Sequence, residues 1–274
     1  ILLTDALAPV EKAELLILAV PSFAVGSTAQ KIAPLLREGT LVANAGKGLE
    51  ENTFRRFTEV IAGELPQARV TALSGPSHAE EVARGVPTSV VSASRDIAAA
   101  EEVQDILMNP HFRIYVTDDI VGVELGGALK NVVALAAGVC DGLDVGDNTK
   151  AALMTRGLAE MARLGTAMGA RSETFAGLAG MGDLIVTCGS MHSRNHRAGI
   201  LIGQGHSPEE AVALVGTVEG YLAAKTVWQL AQKMQVDMPI AEQCYRVCYE
   251  GDQPKEAIRR LMARPKKHES EILW

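Results

Sequence analysis

The sequence predicts an α/β fold joined to an all-helical one: a partial doubly wound parallel sheet, followed by a bundle of helices. Up to about residue 117, short apolar runs alternate with helical patterns, which is typical of a parallel sheet with helices on its faces. After residue 118 only helical patterns occur. Hydrophobic residues make up 47% of the chain but aromatic residues only 4%, so the core must be aliphatic, which suits both parts. We therefore expect two domains, residues 1–117 and 118–274.

Five apolar runs in the first part predict strands. The first, AELLILAVP, is continuously apolar, as expected for a strand that is buried on both faces. The other four are TLVANAGKG, RVTALSGPS, PTSVVSAS and FRIYVTDD. Helical patterns lie between them, in SFAVGSTAQKIAPLLREG, ENTFRRFTEVIAGEL and RDIAAAEEVQDILMNP. Alternation at this spacing predicts that the strands run parallel.

The second part begins with the apolar pattern ELGGALKNVVALAAG and continues with a long helix, DNTKAALMTRGLAEMARLGTAMGA, which ends at a glycine. Met154, Met161 and Met168 recur every seven residues in that helix, which indicates a buried stripe rather than a set of ligands. The pattern HSPEEAVALVG contains a capping box with Ser207 as N-cap and Glu210 three residues later. Three further helical patterns are VEGYLAAKTVWQLAQKM, PIAEQCYRVCYEG and PKEAIRRLMAR.

Composition excludes several classes of partner. A net charge of −7 argues against nucleic acid, because phosphate backbones bind basic surfaces. We expect no membrane span, since no apolar run approaches the required length, and no secretory leader. The four cysteines are interpreted as free thiols of a cytoplasmic protein. Cys244 and Cys248 lie four residues apart and could share a metal, but core or surface thiols are favoured because no histidine stands at ligand spacing.

Lys130 and Asn131 interrupt the apolar pattern that opens the second part. On a helical wheel, the face of Lys130 carries only small neighbours: Gly126, Gly127, Ala134, Ala137 and Gly138. A buried amine is costly unless it is paired. We therefore expect a shallow groove in front of Lys130 that a ligand can enter.

Three turns follow strands of the first part: AVPS, NAGKGLE and SGPSHAEEV. Because the carboxyl ends of parallel strands form the ligand crevice, these turns should share one edge of the sheet. Lys47 lies between Gly46 and Gly48, so its amine can neutralise a phosphate group. Gly75 and Ser77 precede a helix whose free N–H groups could receive an anion, although an ordinary turn with Ser77 as N-cap is equally consistent.

The stretch GLAGMGDLIVTCGSMHSRNHRAG contains a second polar group. Ser193 is a natural N-cap, and Arg194 and Asn195 open the helix behind it. Such a helix start can hold phosphate through its dipole, its free N–H groups and a guanidinium; the plainer interpretation is a cap beside solvated side chains. Asp183, among several glycines, is either a turn residue or the carboxylate of a site.

A doubly wound dinucleotide-binding domain normally opens with a strand, a G-x-G-x-x-G turn and a helix. This motif does not occur in the sequence, which begins at what reads as the end of a helix. We therefore expect a Rossmann-like domain that lacks its first βαβ unit. The alternative is a domain that never had one.

Six motifs, in order, resemble those of the bacterial NAD(P)-dependent glycerol-3-phosphate dehydrogenase family: NAGKGLE, SGPSHAEEV, GVELGGALKNVVALAAG, GLAGMGDLIVTC, SRNHRAG and VEGY. The resemblance runs through essentially the whole chain. It implies an oxidoreductase that interconverts dihydroxyacetone phosphate and sn-glycerol 3-phosphate for glycerophospholipid synthesis, with NAD or NADP as cofactor. The stretch that would decide between the two cofactors is expected to belong to the βαβ unit that this sequence lacks.

The resemblance also implies roles for individual residues. The catalytic residue that carries the proton is Lys130. The residues implied to bind substrate are Lys47, Gly75, Ser77, Lys130, Asp183, Ser193, Arg194 and Asn195. The residues implied to bind cofactor are Lys47, Ala79, Arg194, Thr217 and Glu219.

These roles agree with simple chemistry. Reduction of a ketone requires a hydride on carbon and a proton on oxygen, and a protonated amine can supply that proton while it stabilises negative charge. Asp183 near Lys130 should offset the cost of burying the amine, whereas Lys47 should lower its pKa.

Two other functions remain open at this stage. The chain could be a non-catalytic remnant that binds phosphate ligands or a partner, because it lacks the turn that cradles the pyrophosphate. It could also be a related hydroxyacid-type dehydrogenase, although the SRN cluster favours a phosphorylated substrate. The helical part has enough apolar surface for a homodimer, but no feature of the sequence specifies one.

Overall fold

The computed structural model describes residues 3–269 and contains one five-stranded sheet followed by packed helices. The strands are β1 (Leu15–Leu18), β2 (Leu41–Asn44), β3 (Arg69–Ser74), β4 (Thr88–Ala93) and β5 (Phe112–Thr117). Their order across the sheet is their order in the sequence. All five predicted strands are confirmed, and each falls inside the apolar run that predicted it.

The sheet departs from the prediction in one pairing. β1, β2 and β3 are parallel, and so are β4 and β5, but β3 and β4 are antiparallel. A parallel crossover needs a connection long enough to carry the chain back along the sheet. Between β3 and β4 the only α-helix is α3 (Ala79–Ala83), five residues long. The chain therefore reverses direction there, and the expectation of a wholly parallel sheet is wrong at this pair.

The other helices of the first part are α1 (Val25–Ile32), α2 (Phe57–Glu64) and α4 (Ile97–Leu107). Helix α2 begins later than its sequence pattern predicted. Asn52 and Phe54 adopt φ values of 65° and 62°, in the left-handed region. Glu50 accepts hydrogen bonds from Thr53 and Arg55, so residues 51–56 form a side-chain-supported loop instead of helix.

Beyond residue 118, all regular elements of the described chain are helical. The α-helices are α5 (Ile120–Gly142), α6 (Asp147–Ala167), α7 (Ser172–Phe175), α8 (Asp183–Gly189), α9 (Arg194–Gly203), α10 (Pro208–Val215), α11 (Glu219–Met234), α12 (Pro239–Tyr249) and α13 (Pro254–Met262). A short π-helix, Leu178–Gly182, directly precedes α8. Met161 is buried and the other two methionines of the stripe pack against the same core, as predicted. The capping box at Ser207 is also confirmed.

Helix α5 forms the centre of the molecule. It has the length and mean hydropathy, 1.5, of a membrane span, although the sequence was expected to contain none. Its most apolar window is 89% buried in the fold, which accounts for its composition. Leu125, Leu129 and Leu135 belong to the large core that the helices share.

The small residues of α5 admit protein backbone. A Cβ on Gly126 would lie 2.5 Å from the carbonyl oxygen of Ala179, and one on Gly138 would lie 2.0 Å from that of His196. On α9, a Cβ at Gly199 would lie 2.1 Å from the carbonyl oxygen of Leu135. The π-helix and α9 therefore fill much of the stripe. At these positions the small residues pack against protein backbone, so any groove along this face is confined to the neighbourhood of Lys130.

Candidate active site

Three charged side chains that are far apart in the sequence meet at the carboxyl edge of the sheet. Lys130 on α5 and Asp183 at the start of α8 form an ion pair, with 2.8 Å between Nζ and Oδ1. Lys47, in the loop after β2, binds Oδ2 of the same carboxylate at 2.6 Å. Lys130 and Asp183 are only 5% and 1% exposed. Each charge therefore depends on the others, because an unpaired buried charge is costly.

Asp183 is the first residue of a helix and is buried, so the interpretation of it as a turn residue is wrong. Its partner Lys130 has a second acceptor in Oγ1 of Thr187, at 2.6 Å. The Thr187 hydroxyl in turn donates to the carbonyl oxygen of Asp183. An ammonium has three N–H donors. These contacts use two of them and leave the third for a ligand oxygen.

The electrostatic expectations for this cluster are confirmed. Burial lowers the pKa of Lys130, Lys47 lowers it further, and Asp183 acts in the opposite direction; the result is a pKa of about 8. Burial works to raise the pKa of Asp183, but the two lysines outweigh burial and hold that pKa below its usual range. At neutral pH the carboxylate is ionised and Lys130 is a protonated amine close to its own pKa.

Lys47 also connects the cluster to the turn after β3. Its Nζ donates to the carbonyl oxygen of Gly75 at 2.9 Å, and the Ser77 hydroxyl donates to the same oxygen at 3.0 Å. His78, rather than Ser77, occupies the N-cap position of α3, so Ser77 is not the cap. Gly75 has a φ of 134°, and a Cβ there would lie 3.1 Å from Val90 Cα. This turn accordingly requires glycine.

The start of α9 lies next to the same helix that carries Lys130. Ser193 caps α9, as predicted, by accepting a hydrogen bond from the backbone N–H of His196. Asn195 donates to Oδ1 of Asn131 at 2.9 Å and accepts from the backbone N–H of Gly220 at 2.8 Å. Asn195 thus joins the predicted phosphate cluster to the residue after Lys130 and to the start of α11.

A narrow crevice between the ends of β1 and β2 and helix α11 contains both Lys47 and Glu219. Oε1 of Glu219 accepts a hydrogen bond from the backbone N–H of Ser22, 3.3 Å away. Gly48 and Ala128 keep the walls of the crevice close to the backbone.

For three other predicted residues, the structure gives a position in the fold but no contact with the lysine cluster. Ala79 and Arg194 are exposed and are the first residues of α3 and α9, whereas Thr217 is half-buried and lies two residues before Glu219. Within residues 3–269, Arg194 and Thr217 make no side-chain hydrogen bond. Arg194 therefore presents a free guanidinium beside the capped end of α9.

Sequence reasoning missed Thr187 and gave Asn131 no role. The signal for Thr187 is its spacing, since it follows Asp183 by four residues and so shares its helix face. Two buried polar atoms, Oγ of Ser74 at the end of β3 and Nε2 of His78 at the start of α3, have no hydrogen-bond partner in the described chain. Such atoms mark places where a ligand can complete the bonding.

No group of three His, Cys, Asp or Glu side chains among residues 3–269 is arranged to hold a metal ion. The cysteines are free and buried: Cys140, Cys188, Cys244 and Cys248. Their pKa values are raised by burial, to about 12 for Cys188 and Cys248. They are therefore core thiols at neutral pH.

Comparison with protein-family models matches both parts of the chain. Residues 2–100 match the N-terminal model of NAD-dependent glycerol-3-phosphate dehydrogenase, and residues 119–259 match the C-terminal model of the same family. These ranges include every site residue discussed above.

Individual proteins agree with the family models. The chain is 55% identical over 262 residues to glycerol-3-phosphate dehydrogenase [NAD(P)+] of Desulfitobacterium hafniense, a match that covers 95% of the chain and 74% of the relative. A Clostridium perfringens protein of the same name is 54% identical and covers 94% and 78%. The crystal structure of glycerol-3-phosphate dehydrogenase from Coxiella burnetii superposes with a TM-score of 0.90 at 40% identity, covering 95% of this chain and 80% of that one. The chain belongs to the NAD-dependent glycerol-3-phosphate dehydrogenase family.

Proposed function

We propose that the chain interconverts dihydroxyacetone phosphate and sn-glycerol 3-phosphate with NAD or NADP, and that Lys130 is its catalytic residue. The observation that carries the proposal is the buried cluster of Lys130, Asp183 and Lys47. It places one polarised, protonated amine at the sheet edge where this fold binds ligands. The product is the phosphorylated glycerol of glycerophospholipids.

The substrate would lie between the lysine cluster and the start of α9. Its phosphate would meet the capped helix end, where Ser193, Arg194 and Asn195 combine N–H groups, a hydroxyl and a free guanidinium. Its carbonyl oxygen would meet the remaining N–H of Lys130. Gly75 and Ser77, tied to Lys47 through one carbonyl oxygen, would contact the substrate from the sheet side.

Proton transfer follows from the state of Lys130. In the reducing direction, the ammonium stabilises negative charge on the substrate oxygen and then passes its proton to that oxygen. In the oxidising direction, the neutral amine takes the proton from the hydroxyl. Asp183 holds the amine in place, and a pKa of about 8 lets it act in both directions near neutral pH.

The cofactor, when bound, supplies or accepts the hydride. The residues that would hold it are Lys47, Ala79, Arg194, Thr217 and Glu219. Glu219 and Lys47 line the crevice beside Ser22, where an amide group finds both an acceptor and a donor. Arg194 would serve both ligands, since its guanidinium is exposed and without a partner in the described chain.

We also place the protein in the cytoplasm. Its thiols are free and buried, which suits a reducing compartment. The proposed substrate is a phosphorylated metabolite.

The direct test is the absorbance of reduced nicotinamide cofactor with dihydroxyacetone phosphate as substrate. The chain is assayed beside a version extended at its N-terminus by a Gly-rich βαβ unit of a dinucleotide-binding domain. Turnover in either protein, with no turnover of unphosphorylated hydroxy acids, supports the proposal. Two folded proteins without turnover, or a preference for free hydroxy acids, would refute it.

A further inference from the structure

Lys47 and Lys130 lie on different elements, and their separation is set by the loop that carries Lys47. This loop spans residues 45–56, between β2 and α2, whereas Lys130 is fixed within α5. The inference that follows rests on the proposed role of Lys130. It concerns what holds the loop against that helix.

The end of the loop is bound to α5 by buried charge. Nη1 of Arg56 lies 2.7 Å from Oε2 of Glu124, and the two side chains are each 5% exposed. Glu124 also accepts hydrogen bonds from the backbone N–H of Thr58, at 2.9 Å, and from its hydroxyl. One carboxylate of α5 therefore holds both the last residue of the loop and the first turn of α2.

The two ends of the loop are joined to each other. Leu49 and Arg56 form an antiparallel bridge, and the backbone N–H of Glu50 donates to the carbonyl oxygen of Arg55 at 2.9 Å. A Cβ on Gly48 would lie 3.0 Å from the ring of Phe57, so the Lys47 turn packs directly on the start of α2. These contacts transmit a displacement of Arg56 to the turn that carries Lys47.

Lys47 touches α5 at a second point. A Cβ on Gly127 would lie 3.2 Å from Cγ of Lys47, so the stem of Lys47 runs along this glycine. Gly127 lies three residues after Glu124 and three before Lys130. Glu124, Gly127 and Lys130 therefore lie about one turn apart on the same face of α5, which is the face that the loop contacts.

From this geometry we propose that Arg56 and Glu124 are positioning residues, which hold Lys47 against Lys130 by tying the loop to α5. Neither side chain lies among the proposed substrate or cofactor contacts. They act through the loop: the shared Asp183 carboxylate pairs with both amines, and the two residues keep the backbone that carries Lys47 within reach of it.

The consequence is measurable because Lys47 affects the proton affinity of Lys130. The groups that act on the Lys130 amine are Lys47 from the loop, Asp183 and Cys188 from α8, and the Thr187 hydroxyl that it binds. Of these, Lys47 is the charged neighbour that lowers the pKa of Lys130. Withdrawal of Lys47 should therefore raise it.

The test is Glu124→Gln, which keeps the shape and an acceptor but removes the buried charge that ties Arg56 to α5, leaving the guanidinium only its ion pair with the more exposed Glu59 on α2. We expect the pH midpoint of Lys130 to rise by about one unit and the KM for dihydroxyacetone phosphate to rise about tenfold. The midpoint is read from the pH–rate profile. It is also read from competitive acetylation of Lys130 followed by mass spectrometry, which needs no turnover. If wild type shows no turnover, acetylation still decides this proposal, while the proposed function fails.

Asp119→Asn is the matched control. Asp119 is also buried, caps the same helix α5 and accepts from the backbone N–H of Gly122. The Asp119→Asn variant should have a lower melting temperature than wild type but the wild-type pH midpoint for Lys130.

A double variant distinguishes loss of the positioning effect from loss of folding. Arg56→Met with Glu124→Gln removes both charges of the buried pair, while the amide oxygen at position 124 can still accept from the backbone N–H of Thr58. This variant should fold and still show the raised midpoint and KM. If Glu124→Gln or the double variant folds and keeps the wild-type pH midpoint of Lys130 and the wild-type KM, the proposal is overturned. Arg56 and Glu124 would then have a structural role only.

Discussion

Lys47 and Lys130 bind opposite oxygens of a single buried carboxylate, that of Asp183, at 2.6 and 2.8 Å. Two like charges at this spacing repel each other, and the shared anion makes the arrangement stable. Because the cluster has more positive than negative charge, it favours an anionic ligand or a developing oxyanion. The same balance places the pKa of Lys130 at about 8, close to neutral pH.

Replacement of Lys130 by Met should lower kcat by at least about 1,000-fold, since it removes the proton donor and the positive charge on the substrate oxygen. The fold should persist, because Asp183 keeps Lys47 as its partner. Steady-state kinetics and the melting temperature check both statements. Lys225→Met, which changes an exposed lysine on α11, is the control and should behave like wild type. Wild-type turnover in the Lys130 variant would contradict the mechanism.

The two directions of the reaction should respond to pH in opposite ways. The pKa of Lys130 is lowered from 10.5 to about 8, chiefly by burial and then by Lys47. The reducing direction uses the protonated amine, so its rate should fall as pH rises through about 8. The oxidising direction uses the neutral amine and should speed up over the same range. Initial rates measured in both directions from about pH 6 to about pH 10, roughly two units on either side of the pKa, test this prediction.

In Asp183→Asn, the midpoints of the pH–rate profiles for the reducing and the oxidising direction should both move to lower pH. Asp183 is the neighbour that raises the pKa of Lys130, and the amide removes its charge. Midpoints that stay at the wild-type pH in this variant would show that another group controls the profile.

The chemistry of the site was predictable because it depends on residue types in order along the chain. Lys130 stands out as a charged residue among small ones, and the cost of burying it calls for a nearby carboxylate. That this carboxylate is Asp183 and that Lys47 is a second neighbour came from the resemblance to a known family. Capping is equally local, so Ser193 and Ser207 were assigned correctly from sequence alone.

The remaining features depend on which surfaces meet, and a helical wheel does not contain that information. The wheel shows that Gly126 and Gly138 are small, but not that the π-helix and α9 fill the space beside them. Likewise, strand runs do not show the direction of β4, which is set by the short connection through α3. Thr187 carries no pattern of its own and is recognisable only through its spacing from Asp183.

Gly199→Ala should destabilise the protein by about 2–3 kcal/mol, because overpacking of a rigid contact costs that much. The new Cβ would lie 2.1 Å from the carbonyl oxygen of Leu135, and helix backbone yields little. The shift of α9 should also raise the KM for the phosphorylated substrate through Asn195. Gly189→Ala is the control, since nothing lies within 4 Å of its Cβ. Alanine there should be neutral or stabilise α8 by about 0.5–1 kcal/mol, as chemical denaturation can show.

Glu160 should make stability fall as pH rises from acid to neutral. Burial raises its pKa to about 7, although it accepts hydrogen bonds from the backbone N–H groups of Ile240 and Ala241 at the start of α12. An acid whose folded pKa is raised contributes stability that is complete below about pH 4.5 and is lost as pH passes through about 7. The corresponding cost above pH 7 is on the order of 3 kcal/mol.

In Glu160→Gln, the amide oxygen can still accept from Ile240, but no charge has to be buried. The free energy of unfolding should therefore change less than in wild type between about pH 5 and about pH 8. This is roughly the range over which the wild-type carboxylate, with its raised pKa, becomes ionised. The difference should appear mainly at the alkaline end, where the wild-type carboxylate is ionised. Glu101→Gln, an exposed position on α4, serves as the control and should keep the wild-type dependence. Parallel curves for wild type and Glu160→Gln would show that the buried carboxylate does not govern stability, and that the cap on α12 remains equally favourable in both protonation states.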